Sequence, residues 1–176
     1  MTRKLHVAAA QLGAANLADT RETMVARLRE LLRQAHGRGV RFVVFPELAL
    51  TTFFPRYWFD DLAEVDARFF ERSMPSPVTA PLFDDAQRYG IGFYLGYAEL
   101  TPEGRHFNTA ILVSPGGEIV GKYRKVHLPG HAEHKPEATF QHLEKKYFEV
   151  GDLGFNTWRV EDPGVGSAIV GMLICN

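Results

Sequence analysis

The stretch that most restricts the fold is Val40 to Phe45, a short run that is apolar but for Arg41 and lacks the alternation of a half-exposed strand. Upstream of it, Leu5 to Gln11 has the composition of a first strand. Between the two, Met24, Val25, Leu28, Leu31, Leu32 and Ala35 recur at helical spacing, with Arg27, Arg29, Glu30 and Arg33 on the other side. Asp19, with Glu22 three residues on, is the expected N-cap and capping-box partner, and Gly37 or Gly39 the expected stop. A short apolar run in this place is predicted to be a parallel strand buried on both faces, closing a β-α-β crossover. Glu47 then falls just past the carboxyl end of that strand.

Further along, Asp60 to Arg72 and Val78 to Tyr89 are expected to be helices, separated by Pro75-Ser76-Pro77 and closed by Gly90, with Phe53 to Phe59 as a loop. From Ile91 the period changes. Ile91 to Leu100, Phe107 to Val113 and Glu118 to Lys125 are predicted strands, punctuated by Pro102-Glu103-Gly104 and Pro115-Gly116-Gly117, and form an antiparallel meander. His127 to Gly154 is polar and weakly periodic, which suggests a long functional loop with a short helix around Gln141 to Lys146. Ala168 to Ile174 is expected to be a buried strand that delivers Cys175 to a sheet edge, where α/β proteins place their ligands. Strand and helix in this mixed order predict α/β layers around a mixed sheet, in one domain over 1–176.

Composition narrows the function. With 176 residues and 45% hydrophobic content, the chain is long enough to bury about 70% of its unfolded surface. A formal net charge of -1, with charges interspersed, offers no footprint for nucleic acid or an anionic membrane and favours a small neutral or zwitterionic ligand. The single cysteine forms no intrachain disulfide and no thiolate zinc site, so a cytoplasmic location and the absence of cofactors are expected. The apolar run from Val7 to Ala10 is too short for a signal sequence. The turn from Gln11 to Asn16 carries no glycine-rich fingerprint, which argues against a nucleotide-binding domain. His127, His131 and His134 have the residue type of a zinc site, but Pro129 and Gly130 break their spacing, so no metal is expected.

Three residues have the right chemistry together. Cys175 alone reads as an apolar-flanked packing cysteine, Glu47 as a solvated carboxylate and Lys125 as a basic strand end. Placed at neighbouring strand ends they change meaning. An acid wedged between a buried strand and the nearly uncharged Leu48 to Phe54 segment is partly desolvated and becomes a better proton acceptor for a thiol.

Phe45-Pro46-Glu47-Leu48, Tyr123-Arg124-Lys125-Val126-His127-Leu128 and Gly171-Met172-Leu173-Ile174-Cys175-Asn176, in that order, resemble the Glu-Lys-Cys segments of the nitrilase superfamily of carbon-nitrogen hydrolases. More narrowly, the runs Glu47 to Arg56, His127 to His131 and Phe140 to Phe148 resemble the N-carbamoyl-D-amino acid amidohydrolases. The resemblance covers essentially the whole chain. It implies a four-layer α-β-β-α sandwich with mixed sheets, incomplete at the C-terminus, and a triad of Glu47, Lys125 and Cys175 meeting at one end of the sheets. It adds Glu144 as a second acidic residue, places His127 and His142 near the pocket, and gives Asn108 a supporting role.

The implied reaction converts an N-carbamoyl-D-amino acid to the D-amino acid, CO2 and ammonia through an acyl-cysteine. Glu47 would serve as base, with the oxyanion held by Lys125 and the backbone N–H of Asn176. Members of the resembled group are considerably longer, so the chain is expected to be a fragment ending one residue after its nucleophile, weakly active or inactive alone and homo-oligomeric only in full-length form. Another amidase, a nitrilase or a β-ureidopropionase would share the triad but not the pocket. A catalytically silent binding fragment is the alternative from a different class.

Overall fold

A computed structural model describes residues 4–162 and 166–175. The crossover forms as expected: β1 (Val7–Ala9), α1 (Arg21–Gly37) and β2 (Phe42–Val44), with β1 and β2 parallel and Val7 opposite Phe42. The cap differs from the expectation by one residue. Thr20 Oγ1 accepts from the Thr23 backbone N–H at 3.3 Å, whereas the Asp19 carboxylate turns back to the Asn16 N–H at 2.8 Å. Met24, Val25, Leu28, Leu32 and Ala35 form the buried stripe of α1, and Gly37 is its last residue.

The second helix, α2 (Leu62–Phe69), is shorter than the predicted Asp60 to Arg72. Asp61 caps it through the Ala63 and Glu64 N–H groups, and it ends because Phe70–Glu71 forms β3, pairing in parallel with β4. The third, α3 (Ala80–Tyr89), is closed by Gly90 at φ 62, a left-handed conformation that glycine adopts without strain. The Phe53 to Phe59 loop contains a single 3-10 turn, Phe54–Arg56. The meander is present as β4 (Gly92–Leu100), β5 (His106–Val113) and β6 (Ile119–Arg124). These strands assemble one mixed sheet in the order β1-β2-β4-β5-β6, with β3 on the same side of β4 as β2.

Alternation along the strands separates two faces. Val43, Phe93, Leu95, Tyr97, Ile111 and Val113 point to one side, where α1 and α3 cover them. Phe42, Ala110, Leu112 and Tyr123 point to the other, against Val160, Met172 and Ile174. That second cover is a two-stranded antiparallel ribbon of β7 (Thr157–Asp162) and β8 (Gly166–Gly171). Helices, sheet and ribbon thus give three successive layers.

Two expectations need correction. Val40 to Phe45 is not sheltered on both faces throughout, because on the ribbon side Phe42 is covered by Val160, Met172 and Ile174 whereas Val44, two residues on and on the same face, is left exposed. Ala168 to Ile174 is not a buried strand either. Pairing stops at Gly171, and the segment alternates, with Met172 and Ile174 buried while Ile169 and Leu173 are 59% and 60% exposed. An apolar run is ambiguous in this respect, since nothing in residue type distinguishes inward from outward isoleucine. Strand β7 was not anticipated, its inward Trp158 and Val160 being masked by Arg159, Glu161 and Asp162. The buried Asp162 is matched by Arg41 at 2.8 Å.

Candidate active site

Between Val44 and β3 the chain leaves the sheet and runs across the edge of β4. Phe45 N donates to Tyr94 O at 3.0 Å and Ala49 N to Gly96 O at 2.9 Å, so Pro46, Glu47 and Leu48 arch between two anchors. The arch lies directly on Gly96, where a Cβ would come within 2.9 Å of Glu47 Cα and Pro46 O. Leu48 reverses the chain at φ 48. The only other described non-glycine residue with positive φ is Cys175, at φ 58, so both left-handed side-chain-bearing residues lie at or beside sequence-predicted site positions.

Lys125 follows β6 by one residue and stays in register with β5, donating its backbone N–H to Asn108 O at 2.8 Å. That pairing puts the Lys125 and Asn108 side chains on the same face. The Lys125 side chain is 0% exposed and lies between two carboxylates, Nζ being 2.8 Å from Glu47 Oε1 and 2.8 Å from Glu144 Oε2. Burial opposes its charge, but the hydrogen bonds to Glu144 and Glu47 outweigh it and hold the Lys125 pKa above the ordinary lysine value. Glu144 is 2% exposed and Glu47 24%, so one acid is sealed in and the other reaches an opening.

Glu144 opens α4 (Glu144–Tyr147), somewhat later than the short helix expected around Gln141 to Lys146. The preceding Leu143 is buried and donates its N–H to Pro55 O at 2.8 Å, which ties the long loop to the 3-10 turn. Phe54 stacks on Phe69 and meets Tyr147 and Phe148 edge-on or tilted, so an aromatic cluster supports the floor beneath Glu144. His142 Nε2 sits 3.2 Å from Glu144 Oε1. Asn108, fully buried, donates from Nδ2 to Glu47 Oε1 at 2.6 Å and to Glu144 Oε2 at 3.4 Å.

Cys175 is exposed and lines, together with Glu47, a cavity of about 320 Å³ walled by Phe42, Val44, Tyr94 and Leu112. Tyr94 was missed at the sequence level, because a tyrosine in a strand that also holds Tyr97 and Glu99 carries no signal of its own. Its OH donates to Leu173 O at 3.0 Å and so holds the approach to Cys175 against β4. Burial, and then the nearby Glu47 carboxylate, push the Tyr94 pKa far up and keep that hydroxyl protonated. His127 is exposed and stacks on Phe155, lining a different cavity with Lys145 and Phe148. Asn176 lies outside the described residues. His131 and His134 take separate partners, Glu133 O and the Trp58 ring, and no group of three or more His, Cys, Asp or Glu side chains suited to a metal ion occurs among the described residues.

A family model for carbon-nitrogen hydrolases matches residues 6–176. The chain belongs to the carbon-nitrogen hydrolase family. Among curated relatives, a nitrilase of Pyrococcus abyssi is 35% identical over 85% of the chain and 48% of its own length. An N-carbamoylputrescine amidase of Arabidopsis thaliana is 29% identical over 86% of the chain and 46% of its own length. The solved structure of an amidase from Nesterenkonia sp. superposes with a TM-score of 0.68 at 20% identity, covering 98% of this chain and 56% of that one, which shows the shared fold. The chain spans about half the length of the curated relatives it matches. No helix among the described residues is long and apolar enough to cross a membrane.

Proposed function

We propose that this carbon-nitrogen hydrolase chain carries a Glu47-Lys125-Cys175 triad that hydrolyses a carbamoyl amide, N-carbamoyl-D-amino acid to D-amino acid, CO2 and ammonia. The observation that supports it most is the sealed Lys125 ammonium, shared at 2.8 Å by Glu144 and by a Glu47 that opens onto the same cavity as Cys175. A lysine buried so firmly charged is a poor nucleophile and a good electrostatic clamp. Two of its three N–H groups are committed to the carboxylates, and the third has no partner among the described residues.

In this reading Glu47 takes the Cys175 proton as sulfur attacks the carbamoyl carbon, and the carbonyl electron pair moves to oxygen. The third Lys125 N–H meets that oxyanion, a contact worth about 3 to 4 kcal/mol. Collapse breaks one C–N bond as Glu47 returns the proton to the departing nitrogen. Water, deprotonated by Glu47, then cleaves the acyl-cysteine, Glu47 passes that proton to the leaving sulfur, and the released carbamic acid loses CO2 to free the second nitrogen. Glu144, bound to Lys125, Asn108 and His142, keeps the ammonium in place rather than exchanging protons. The name of the Arabidopsis relative supports a carbamoyl substrate, and the resemblance of Glu47 to Arg56 and Phe140 to Phe148 to D-carbamoylases supports the amino acid part.

The test is hydrolysis of paired N-carbamoyl-D- and L-amino acids, N-carbamoylputrescine and a simple aliphatic amide. It uses the chain and an in-frame form of the relatives' length, each with a Cys175→Ala control. D-selective turnover that disappears in the control is the expected result. Turnover of the amide or of N-carbamoylputrescine alone would replace the substrate, and an inactive longer form would overturn the reading.

A further inference from the structure

This inference rests on the hydrolase reading and concerns how its base is aimed. Both hydrogen bonds to the Glu47 carboxylate among the described residues fall on one oxygen, with Asn108 Nδ2 at 2.6 Å and Lys125 Nζ at 2.8 Å from Oε1. Oε2 is left without a partner among the described residues, in a side chain that lines the Cys175 cavity.

Asn108 is an odd choice for that place on packing grounds. Its side chain is fully buried and its Oδ1 has no hydrogen-bond partner, so an apolar side chain of the same shape would be cheaper to bury. What an amide adds is the donor end, and Nδ2 faces both carboxylates at once. It is also held rigidly, since β5 pairs Asn108 with Ala98 on one side and receives Lys125 N–H on the other. Lys125 does not aim Glu47 alone, because an ammonium has no planar fork to fix a carboxylate's orientation and this one is shared at the same 2.8 Å with Glu144.

We infer that Asn108 is a positioning residue that pins Glu47 Oε1 beside Lys125, so that Oε2 is the atom exchanging a proton with the Cys175 thiol. In that exchange the S–H bond breaks, the O–H bond forms on Oε2 and the electron pair stays on sulfur. The titratable groups around Glu47 are Lys125 after β6, Tyr94 from β4 and Cys175 across the cavity. Glu144 from α4 acts through Lys125 and Asn108, and His142 through Glu144.

Since the chain has one cysteine, its alkylation by iodoacetamide reads Cys175 alone and needs no turnover. The rate is followed against pH for the wild type, Glu47→Gln, Asn108→Asp and Asn108→Leu, each with its melting temperature. The wild type is expected to show a low-pH limb that Glu47→Gln abolishes. A carboxylate that loses a donor is easier to protonate, so Asn108→Leu moves the midpoint of that limb up by about one pH unit, and Asn108→Asp, which substitutes an anion, by more. An unmoved midpoint in either folded variant overturns the proposal, as do a limb that survives Glu47→Gln and a failure of both Asn108 variants to fold. Shifted alkylation without hydrolysis of any substrate sinks the hydrolase reading alone, and hydrolysis with unshifted alkylation sinks this one alone.

Discussion

The acid-ammonium half of the site and the cysteine half are built in opposite ways. Glu47, Asn108, Lys125 and Glu144 converge from the arch after β2, from β5, from the end of β6 and from α4, and each of these side chains touches at least two of the others. Cys175 sits four residues beyond a two-stranded ribbon, exposed, its approach held by Tyr94 OH and by the inward Met172 and Ile174. A charge cluster must be assembled before substrate arrives, because reorganising buried charges during the reaction is expensive, whereas a thiol needs only to be carried to a fixed base. Stability is therefore concentrated in the first half and accessibility in the second.

The largest break in this contrast is expected from Lys125→Met, which leaves Glu47 and Glu144 facing each other without a cation. Unfolding in urea should show a loss of about 3 to 5 kcal/mol. The same variant tests the sign of the lysine's pH dependence. A group whose pKa is raised on folding contributes stability that is complete below its ordinary value and is lost as pH rises through the folded value, so the wild type should weaken in the alkaline range and Lys125→Met should not share that loss. On the cysteine side, Ile174→Ala removes the buried anchor next to the nucleophile and should cost about 2 to 4 kcal/mol in the same assay.

Smaller effects sharpen the boundary between the halves. Gly96→Ala drives a methyl against the Glu47 arch and should cost about 1 to 3 kcal/mol while slowing Cys175 alkylation at low pH, a link that a remote β4 substitution would not show. Tyr94→Phe removes the OH that holds Leu173 and should cost about 1 kcal/mol, with a larger change in alkylation rate than in melting temperature. Cys175→Ala should lie within about 0.5 kcal/mol of the wild type, as expected for an exposed side chain. A cost above that of Ile174→Ala would show that the cysteine is a packing residue after all.

The crossover, the three-stranded meander, Gly90 as a stop and the place of Glu47 after β2 were legible because each depends on local periodicity and turn chemistry. The cap at Thr20 was missed because two neighbouring side chains were equally able to cap, and Asp19 was taken by Asn16 instead. Strand β7 was missed because one of its three inward residues is Asp162, whose burial is matched by Arg41 from 121 residues away. The same distance problem applies in the site. Lys125 in isolation is a basic strand end, and only the fold shows that it is sealed between acids 78 and 19 residues distant.

Residue order alone determined that a β-α-β unit precedes an antiparallel meander, and that Glu47, Lys125 and Cys175 stand at segment ends. Local sterics and hydrophobic spacing act within a few residues and survive without the rest of the chain. Tertiary structure alone decided which faces of the apolar runs were covered, that Glu144 and Asn108 share Lys125 and Glu47, and that Cys175 opens to solvent. Those outcomes depend on which distant surfaces meet and on the desolvation of charges that have no partner until they do.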